Sequence, residues 1–123
     1  MVMKKVLIVE DDRDISQMYK QKLDLAGYQV AEEFDGSKAM MVVKDTLPDI
    51  VLLDIMLGGK VNGFDILEEI RRDPRTKNTQ VLILTNLESE EKVAKEIGAN
   101  EYVMKSTTTP GDLLNRVKAM IGS

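Results

Sequence analysis

Five strand-length segments, each followed by a segment with helical periodicity, are the feature of this sequence that most restricts its fold. They lie at 6–9, 28–34, 49–56, 81–84 and 102–104, and all but 28–34 contain continuous apolar runs. Short continuous apolar runs are typical of strands that are buried on both faces. Because parallel neighbours need a crossover connection, the alternation predicts an α/β fold with a parallel sheet and helices on both faces. We expect a doubly wound five-stranded sheet in the order 2-1-3-4-5.

The segments between the runs predict five helices. The first covers 12–25, with an apolar stripe of Ile15, Met18, Tyr19, Leu23 and Leu25. The second follows a turn at Asp35-Gly36 and ends near residue 44, the third follows the loop 58–63, the fourth covers 89–97, and the fifth begins at Pro110. The eight methionines are most simply core filler.

Length and composition predict one compact domain over residues 1–123. Of the 123 residues 43% are hydrophobic and 31% are charged, which is enough for a core but leaves little room for a second unit. The apolar runs are far too short to span a bilayer, and the stretch after Lys4 and Lys5 stops at Glu10, which argues against a signal peptide. We expect a cytoplasmic protein without membrane association.

The residue types that are missing narrow the chemistry further. The sequence has no cysteine and no histidine, which excludes sulfur chemistry, thiolate metal sites and imidazole bases. Seventeen basic and 21 acidic residues give a net charge of −4, without the basic stripe of a nucleic-acid-binding surface. Carboxylates, hydroxyls and lysines must therefore carry the chemistry, and direct binding of nucleic acid is not expected.

Polar residues lie at the ends of four predicted strands. Glu10 and Asp11 follow the first strand, Asp54 lies near the end of the third, Thr85 ends the fourth and Lys105 follows the fifth. In a doubly wound sheet, ligands bind beyond the carboxyl ends of the strands where the winding reverses, here between strands one and three. The sequence therefore predicts that these side chains meet at one edge.

An all-oxygen cluster of this kind predicts phosphoryl chemistry at a divalent cation. Carboxylates without nitrogen or sulfur ligands select a hard ion, and Mg²⁺ fits best because it leaves positions for phosphate oxygens. The ammonium of Lys105 and the hydroxyl of Thr85 suit the oxygens of a phosphoryl group. Asp54 is then the candidate nucleophile, which would form an aspartyl phosphate.

Each of these residues also has an ordinary structural interpretation. The acids at 10–12 could serve only as acceptors for the free N–H groups at a helix N-terminus. Lys105 could be a surface lysine, and Thr85 could be an ordinary strand-end residue. Tyr102 alone would be a half-buried strand residue. Asp54 is harder to explain in this way, because it ends a strongly apolar strand. The predicted convergence of four strand ends is what favours a functional site.

Four segments of the sequence resemble the receiver domain of response regulators in bacterial two-component signalling. They are 6–12, 48–54, 82–85 and 101–105, and they read Val-Leu-Ile-Val-Glu-Asp-Asp, Pro-Asp-Ile-Val-Leu-Leu-Asp, Leu-Ile-Leu-Thr and Glu-Tyr-Val-Met-Lys. The resemblance extends over nearly the whole chain and implies a flavodoxin-like fold. It also implies that Asp54 is the phosphorylation site, that Asp11 binds Mg²⁺ directly and Glu10 often through water, and that Met56 offers the ion its backbone carbonyl.

The remaining implications of the resemblance concern the switch and the partners. Thr85 and Lys105 match the residues that bind the phosphoryl group, and Tyr102 matches an aromatic residue that turns inward when the threonine moves. The donor would be the phosphohistidine of a sensor histidine kinase or a histidine phosphotransfer protein. The chain would promote only its own phosphorylation and dephosphorylation, would change its affinity for a downstream protein of unknown identity, and could form a homodimer on phosphorylation.

The sequence departs from the family pattern at three places. Ser106 follows Lys105 where the family usually has proline, and the 107–109 loop is about one residue longer. The loop after Asp54 also lacks the usual proline and is about one residue longer. Asn86 follows Thr85 where a smaller residue is common.

Three other functions remain open at this stage. A degenerate receiver would act only as a protein-interaction module. A flavodoxin-like electron carrier would share the architecture, but the acids at 10–12 would repel the phosphate of its flavin. A phosphohydrolase of the haloacid dehalogenase type would use an aspartate nucleophile and Mg²⁺, but it would carry a second aspartate where this chain has Met56.

Overall fold

A computed structural model describes residues 3–123 and contains a five-stranded sheet and five α-helices. The strands are β1 (Lys5–Val9), β2 (Gln29–Glu33), β3 (Ile50–Leu53), β4 (Gln80–Thr85) and β5 (Glu101–Met104). The helices are α1 (Arg13–Leu25), α2 (Gly36–Thr46), α3 (Gly63–Arg72), α4 (Glu91–Ile97) and α5 (Pro110–Ile121), and a 3₁₀ turn, η1, covers Lys105–Thr107.

The sheet has the predicted order, β2-β1-β3-β4-β5, and all neighbouring strands are parallel. Its register aligns the strand ends, because Val9 pairs with Leu53 and Thr85 pairs with Met104. The residues that follow these positions therefore emerge together at one edge of the sheet. The predicted doubly wound fold is confirmed.

Two hydrophobic clusters cover the two faces of the sheet. Alternate residues of a strand point to opposite faces, so Leu7 and Leu53 belong to the cluster under α2, α3 and α4, while Ile8 and Leu52 belong to the cluster under α1 and α5. All four residues are at most 1% exposed. Burial on both faces explains why these strands are continuous apolar runs, and it fixes the backbone on which the polar strand ends sit.

Helix starts are set by short polar side chains, as the sequence suggests. Asp12 caps α1 by accepting from the N–H groups of Asp14 and Ile15. Asn62 and Thr109 each form a reciprocal capping box, at α3 and α5. These caps fix where the loops from β1 and β3 turn into helices, and so they help to position the polar edge.

Several predicted boundaries differ from the structure. The third strand ends at Leu53, so Asp54 and Met56 lie in the following loop rather than in a strand that runs to residue 56. Asp35 caps α2, which continues past residue 44 to Thr46. Helix α4 begins at Glu91 instead of residue 89, and its N-cap residue makes no capping hydrogen bond through its side chain.

The predicted apolar stripe of α1 was too wide. The buried side of the helix consists of Ser16, Tyr19 and Leu23, whereas Met18 is 43% and Leu25 is 88% exposed. The reason is that α1 packs on the sheet along one narrow row with a spacing of three and four residues, and Met18 and Leu25 lie outside this row.

The methionines are mostly not core residues, contrary to the prediction. Only Met40 is buried among the methionines in residues 3–123, while Met3, Met18, Met41 and Met56 are between 43% and 59% exposed. Met1 lies outside the described residues. Met104 in β5 and Met120 in α5 are half-buried, and Met120 packs against the core. The core itself is filled mainly by leucine, isoleucine and valine.

Across residues 3–123, none of the helices has the length and apolar character that crossing a membrane requires.

Candidate functional site

The first two site residues, Glu10 and Asp54, continue directly from paired central strands. The Asp54 N–H donates to the Val9 carbonyl over 3.1 Å, and the Glu10 N–H donates to the Glu33 carbonyl over 3.1 Å. These bonds extend the sheet by one residue, which brings both carboxylates to its buried edge. Glu10 is only 3% and Asp54 only 5% exposed. Two acids at this depth need compensating charge or hydrogen bonds.

The three consecutive acids after β1 have different environments. Glu10 points into the buried edge, where its Oε2 accepts from the Asp12 N–H over 3.1 Å. Asp12 caps α1, which is the ordinary interpretation of an acid at this place. Asp11 is exposed, and its Oδ2 accepts from the Gly58 N–H over 3.2 Å, which ties it to the loop after β3. Helix capping therefore explains Asp12 but neither Glu10 nor Asp11.

Lys105 supplies the positive charge at the buried acids. Its Nζ donates to Asp54 Oδ2 over 2.6 Å and forms a second, shorter ion pair with Glu10 Oε1. The side chain of Lys105 is only 12% exposed. It is therefore not a surface lysine, and one ammonium bridges acids from two different strands.

The charges of this cluster shift the pKa values in ways that have clear causes. Burial raises the pKa of Glu10, although Lys105 and the Asp12 N–H partly oppose this effect. Burial alone would lower the pKa of Lys105, but its bonds to Asp54 and Glu10 and their negative charges outweigh burial and raise it. The two acids therefore favour the charged form of Lys105, whereas burial disfavours the ionised form of Glu10.

The loop after β3 is folded tightly around Asp54. The Met56 N–H donates to Asp54 Oδ1 over 3.1 Å, and the Gly63 N–H donates to the Ile55 carbonyl over 2.9 Å. A Cβ atom on Gly63 would overlap the carbonyl oxygen of Asp54. The two carboxylate oxygens of Asp54 thus have different partners, Met56 on one side and Lys105 on the other.

Thr85 and Tyr102 both contact the β4–α4 loop. Thr85 is fully buried, and its Oγ1 accepts from the Leu87 N–H over 3.4 Å. The hydroxyl of Tyr102 donates a short hydrogen bond to the Leu87 carbonyl. Within residues 3–123 no hydrogen bond joins Thr85 to the acids, so in this state both residues hold the loop at Leu87.

Glu10, Asp11 and Asp54 form a cluster suited to a metal ion. Each offers a carboxylate oxygen, and these oxygens lie within 4.8 Å of one another. Glu10 Oε1 is buried, and the Lys105 ammonium is the partner that it faces among the described residues. One ammonium shared by two buried acids leaves negative charge uncompensated, and an all-oxygen donor set fits a hard divalent cation. The predicted metal-ligating carboxylates are therefore brought together.

Comparison with known proteins identifies the family. The family described as the response regulator receiver domain matches residues 6–118 of the chain. The chain belongs to this family. Its acidic cluster of Glu10, Asp11 and Asp54 is typical of a receiver metal site. Receiver domains normally catalyse only their own phosphorylation, and they pair with histidine kinases. Membership decides against a flavodoxin-like carrier and a phosphohydrolase as the class of this protein.

Individual relatives support the same assignment. The chain is 36% identical over 121 residues to the DNA-binding dual master transcriptional regulator RpaA of Synechocystis, which covers 97% of the chain and 49% of RpaA. It is similar to the chemotaxis response regulator CheY4 of Vibrio cholerae, with 30% identity, a TM-score of 0.87 and coverage of 97% and 99% of the two chains. The BeF3-activated receiver domain of Klebsiella pneumoniae RstA gives 32% identity, a TM-score of 0.84 and coverage of 98% and 100%.

The curated relatives are longer than this receiver. The chain spans about half the length of the curated relatives that it matches, 49% of RpaA and 52% of the phosphate regulon regulator PhoB of Rhizobium meliloti. The likeness to these proteins therefore concerns their receiver halves.

Two contacts near the receiver site were not predicted from the sequence. Gly63 approaches the Asp54 backbone, and Asn86 accepts a hydrogen bond from the Ser106 N–H after Lys105. The Asn62-Gly63 pair had a signal, because a cap before a glycine marks a tight helix entry. The Asn86 contact joins two separate loops, and no local sequence pattern indicates it.

Proposed function

We propose that this receiver accepts a phosphoryl group on Asp54 from a phosphohistidine of a partner protein, with Mg²⁺ bound at Glu10, Asp11 and Asp54. The observation that carries the proposal is the bridge of Lys105 between Glu10 and Asp54 Oδ2 at a buried edge. This bridge holds an ammonium beside a carboxylate oxygen that can act as the nucleophile. We also propose that residues 1–123 form one receiver unit.

The transfer is balanced as an exchange of one phosphorus bond. An oxygen of the Asp54 carboxylate forms a P–O bond, and the P–N bond to the partner's histidine breaks. Lys105 is placed to move from the carboxylate to a phosphoryl oxygen, and Thr85 can donate its hydroxyl to another. The 123 residues contain no histidine, so the phosphohistidine lies outside them, in this proposal on a partner protein.

Magnesium is the ion that suits these ligands best. Glu10, Asp11 and Asp54 would hold it together with the backbone carbonyl of Met56, in keeping with an oxygen-only donor set. When bound, the ion neutralises the charge that develops on the phosphoryl oxygens. The chain's own part is to keep these acids preorganised through the extended sheet and the Gly58 contact with Asp11.

The switch in this proposal uses the β4–α4 loop. A new phosphoryl charge on Asp54 would draw Thr85 away from Leu87, and Tyr102 would settle further inward. The surface of α4, β5 and α5 would then change its affinity for a downstream protein, or for a second copy of the chain. The phosphoryl group shifts this equilibrium only by the difference in its interactions with the two states.

The decisive test of the proposal is phosphorylation by a small donor. Incubation with acetyl phosphate and Mg²⁺ is expected to add one phosphoryl mass to the wild type and none to Asp54→Asn, as measured by intact-protein mass spectrometry. Asp45→Asn is the matched control, because Asp45 is an exposed acid on α2, and it is expected to be modified like the wild type. An unmodified wild-type protein would leave only the degenerate receiver.

A second experiment tests the metal ligands independently of phosphorylation. Binding of Mg²⁺ to the folded state raises its stability, by about 2.7 kcal/mol at a concentration of 100 times Kd. Asp11→Ala is expected to remove most of this gain, whereas Asp45→Ala is expected to keep it. Equal gains in all three proteins, measured by thermal unfolding with and without MgCl₂, would mean that the ion binds elsewhere.

A further inference from the structure

The β4–α4 loop and the segment that carries Lys105 are joined by a contact that the proposed function does not use. Thr85 pairs with Met104 in the sheet, so Asn86 and Lys105 leave neighbouring strands at the same level. Asn86 Oδ1 then accepts from the Ser106 N–H over 2.9 Å. The side chain of one loop thereby binds the backbone of the other.

The contact satisfies a donor that has no local partner. The first N–H groups of a helical turn have no acceptor within the turn. The turn η1 begins right after Met104, and no side chain near its start provides a capping hydrogen bond. Asn86 fills this place from the neighbouring loop. A proline at position 106 would have no N–H to donate, so the contact depends on the residue found here.

The neighbouring contacts show what such a bond would connect. On one side, the β4–α4 loop is held through Leu87 by Thr85 and Tyr102. On the other side, Lys105 is held by its ion pairs with the two buried acids. Among the side-chain hydrogen bonds within residues 3–123, the bond between the Ser106 N–H and Asn86 is the one that links these two groups.

We propose that Asn86 is a positioning residue that couples movement of the β4–α4 loop to the backbone of Lys105 and Ser106. The inference rests on the proposed function, because the coupling matters only if the loop moves toward a phosphoryl group on Asp54. Through this bond, a shift of Thr85 also shifts η1. The Thr85 hydroxyl and the Lys105 ammonium would then reach the phosphoryl oxygens together.

The contact itself can be tested in the free protein by amide hydrogen exchange at Ser106. Asn86→Leu keeps a similar volume but has no acceptor, and it is expected to speed exchange of this amide about fivefold, the factor for a hydrogen bond of about 1 kcal/mol. Asn86→Asp keeps the acceptor and is expected to retain the wild-type rate within twofold. Ser106→Ala keeps the N–H and serves as the second control. Equal exchange in Asn86→Leu and wild type would overturn the proposal.

The coupling is tested by NMR with Mg²⁺ and beryllofluoride as the phosphoryl analogue. In the wild type, the amide signals of Leu87 and of Ser106 and Thr107 are expected to shift together. In Asn86→Leu the Leu87 signal is expected to shift as before, while the shifts of Ser106 and Thr107 fall to less than half. Undiminished shifts in this variant would refute the coupling.

The two proposals fail in different ways. If no amide near Asp54 responds to beryllofluoride, the proposed function is wrong and the coupling has nothing to transmit, so both are refuted. If Asp54 and Leu87 respond but Asn86→Leu behaves like the wild type, only the role of Asn86 is refuted. Asn86→Asp provides the rescue, since a purely steric role of Asn86 would make the Leu and Asp variants alike.

Discussion

Replacing Gly63 by alanine is expected to damage both the fold and the site, although alanine is the better helix former. Gly63 is buried as the first residue of α3, where its N–H donates to the Ile55 carbonyl over 2.9 Å. A Cβ there would overlap the Asp54 carbonyl oxygen and lie 2.7 Å from Ile55 Cα and 2.9 Å from the Asp54 carbonyl carbon. All three atoms belong to the backbone, so a rotamer change cannot relieve the clash.

The size of the effect follows from two opposing terms. Alanine gains up to about 1 kcal/mol over glycine in a helix, whereas overpacking a rigid interior costs about 1–3 kcal/mol or more. We expect the overpacking cost to lie in the upper part of this range, because the obstacles at Gly63 cannot move separately from Asp54, which leaves a net loss of about 1–2 kcal/mol. At about 2.1 cal/mol/K per residue, the 123 residues have an unfolding entropy of roughly 0.26 kcal/mol/K, so Tm falls by about 4–8 °C.

The assay compares two glycine-to-alanine substitutions in first helical turns. A Cβ on Gly111 in α5 would meet only the Thr109 hydroxyl oxygen, at 3.8 Å. Gly111→Ala is therefore expected to leave Tm unchanged or raise it, while Gly63→Ala lowers it and slows phosphorylation of Asp54 by acetyl phosphate. If Gly63→Ala and Gly111→Ala have the same Tm, the close approach of Gly63 to Asp54 does not constrain the site, and the reasoning is refuted.

Three further predictions concern charge and hydrogen bonding. Lys105→Met leaves Glu10 and Asp54 buried without their cation, so stability at neutral pH is expected to fall by about 3–5 kcal/mol in urea unfolding; a loss below about 1 kcal/mol would contradict this. The Thr109 amide and hydroxyl lower the pKa of Asp112 from its usual 3.8. The ionised Asp112 carboxylate therefore stabilises the folded state fully above pH 3.8, and this stabilisation is lost as the pH falls through the lower pKa of the folded state. A midpoint at or above pH 3.8 in an NMR titration of the Asp112 carboxyl group would disprove the lowered pKa. Arg71 donates to the carbonyls of three residues and to one amide side chain, and Arg71→Ala is expected to cost about 2–3 kcal/mol in the same unfolding assay; an unchanged midpoint would show that these bonds contribute nothing.

The sheet order and the meeting of the strand ends could be predicted, because both follow from rules that act on the whole chain. Parallel strands need right-handed crossovers, and the residues after each strand must leave at the same edge. The meeting of Glu10, Asp54 and Lys105 at one edge therefore follows from the order of the strands, and the ion pairs of Lys105 confirm it. The apolar runs carried this information, since burial on both faces leaves few alternatives for the strands.

Side-chain direction could not be predicted in the same way. The sequence gives three successive acids after β1, but which one caps α1 depends on the backbone at the helix entry, where Asp12 is extended with φ −83° and ψ 108°. The width of the buried row of α1 depends on how the helix packs in the folded protein, which periodicity alone does not indicate. Met18 and Leu25 fit the apolar pattern of the sequence but are exposed. The Asn86 bond to Ser106 needs the register of β4 and β5, which no single segment encodes.

The count of charges at the edge supports the proposal that a metal ion binds beside Lys105. Glu10, Asp11 and Asp54 carry three negative charges when ionised, and Lys105 supplies one positive charge, which leaves a net charge of −2. Burial is the main cause of the raised pKa of Glu10, and the nearby charge of Asp54 adds a smaller contribution. A divalent cation brings the count to zero, whereas a phosphoryl group adds negative charge again. In the proposed phosphorylation of Asp54, Lys105, which is shared between two acids at rest, is therefore the group whose partner must change.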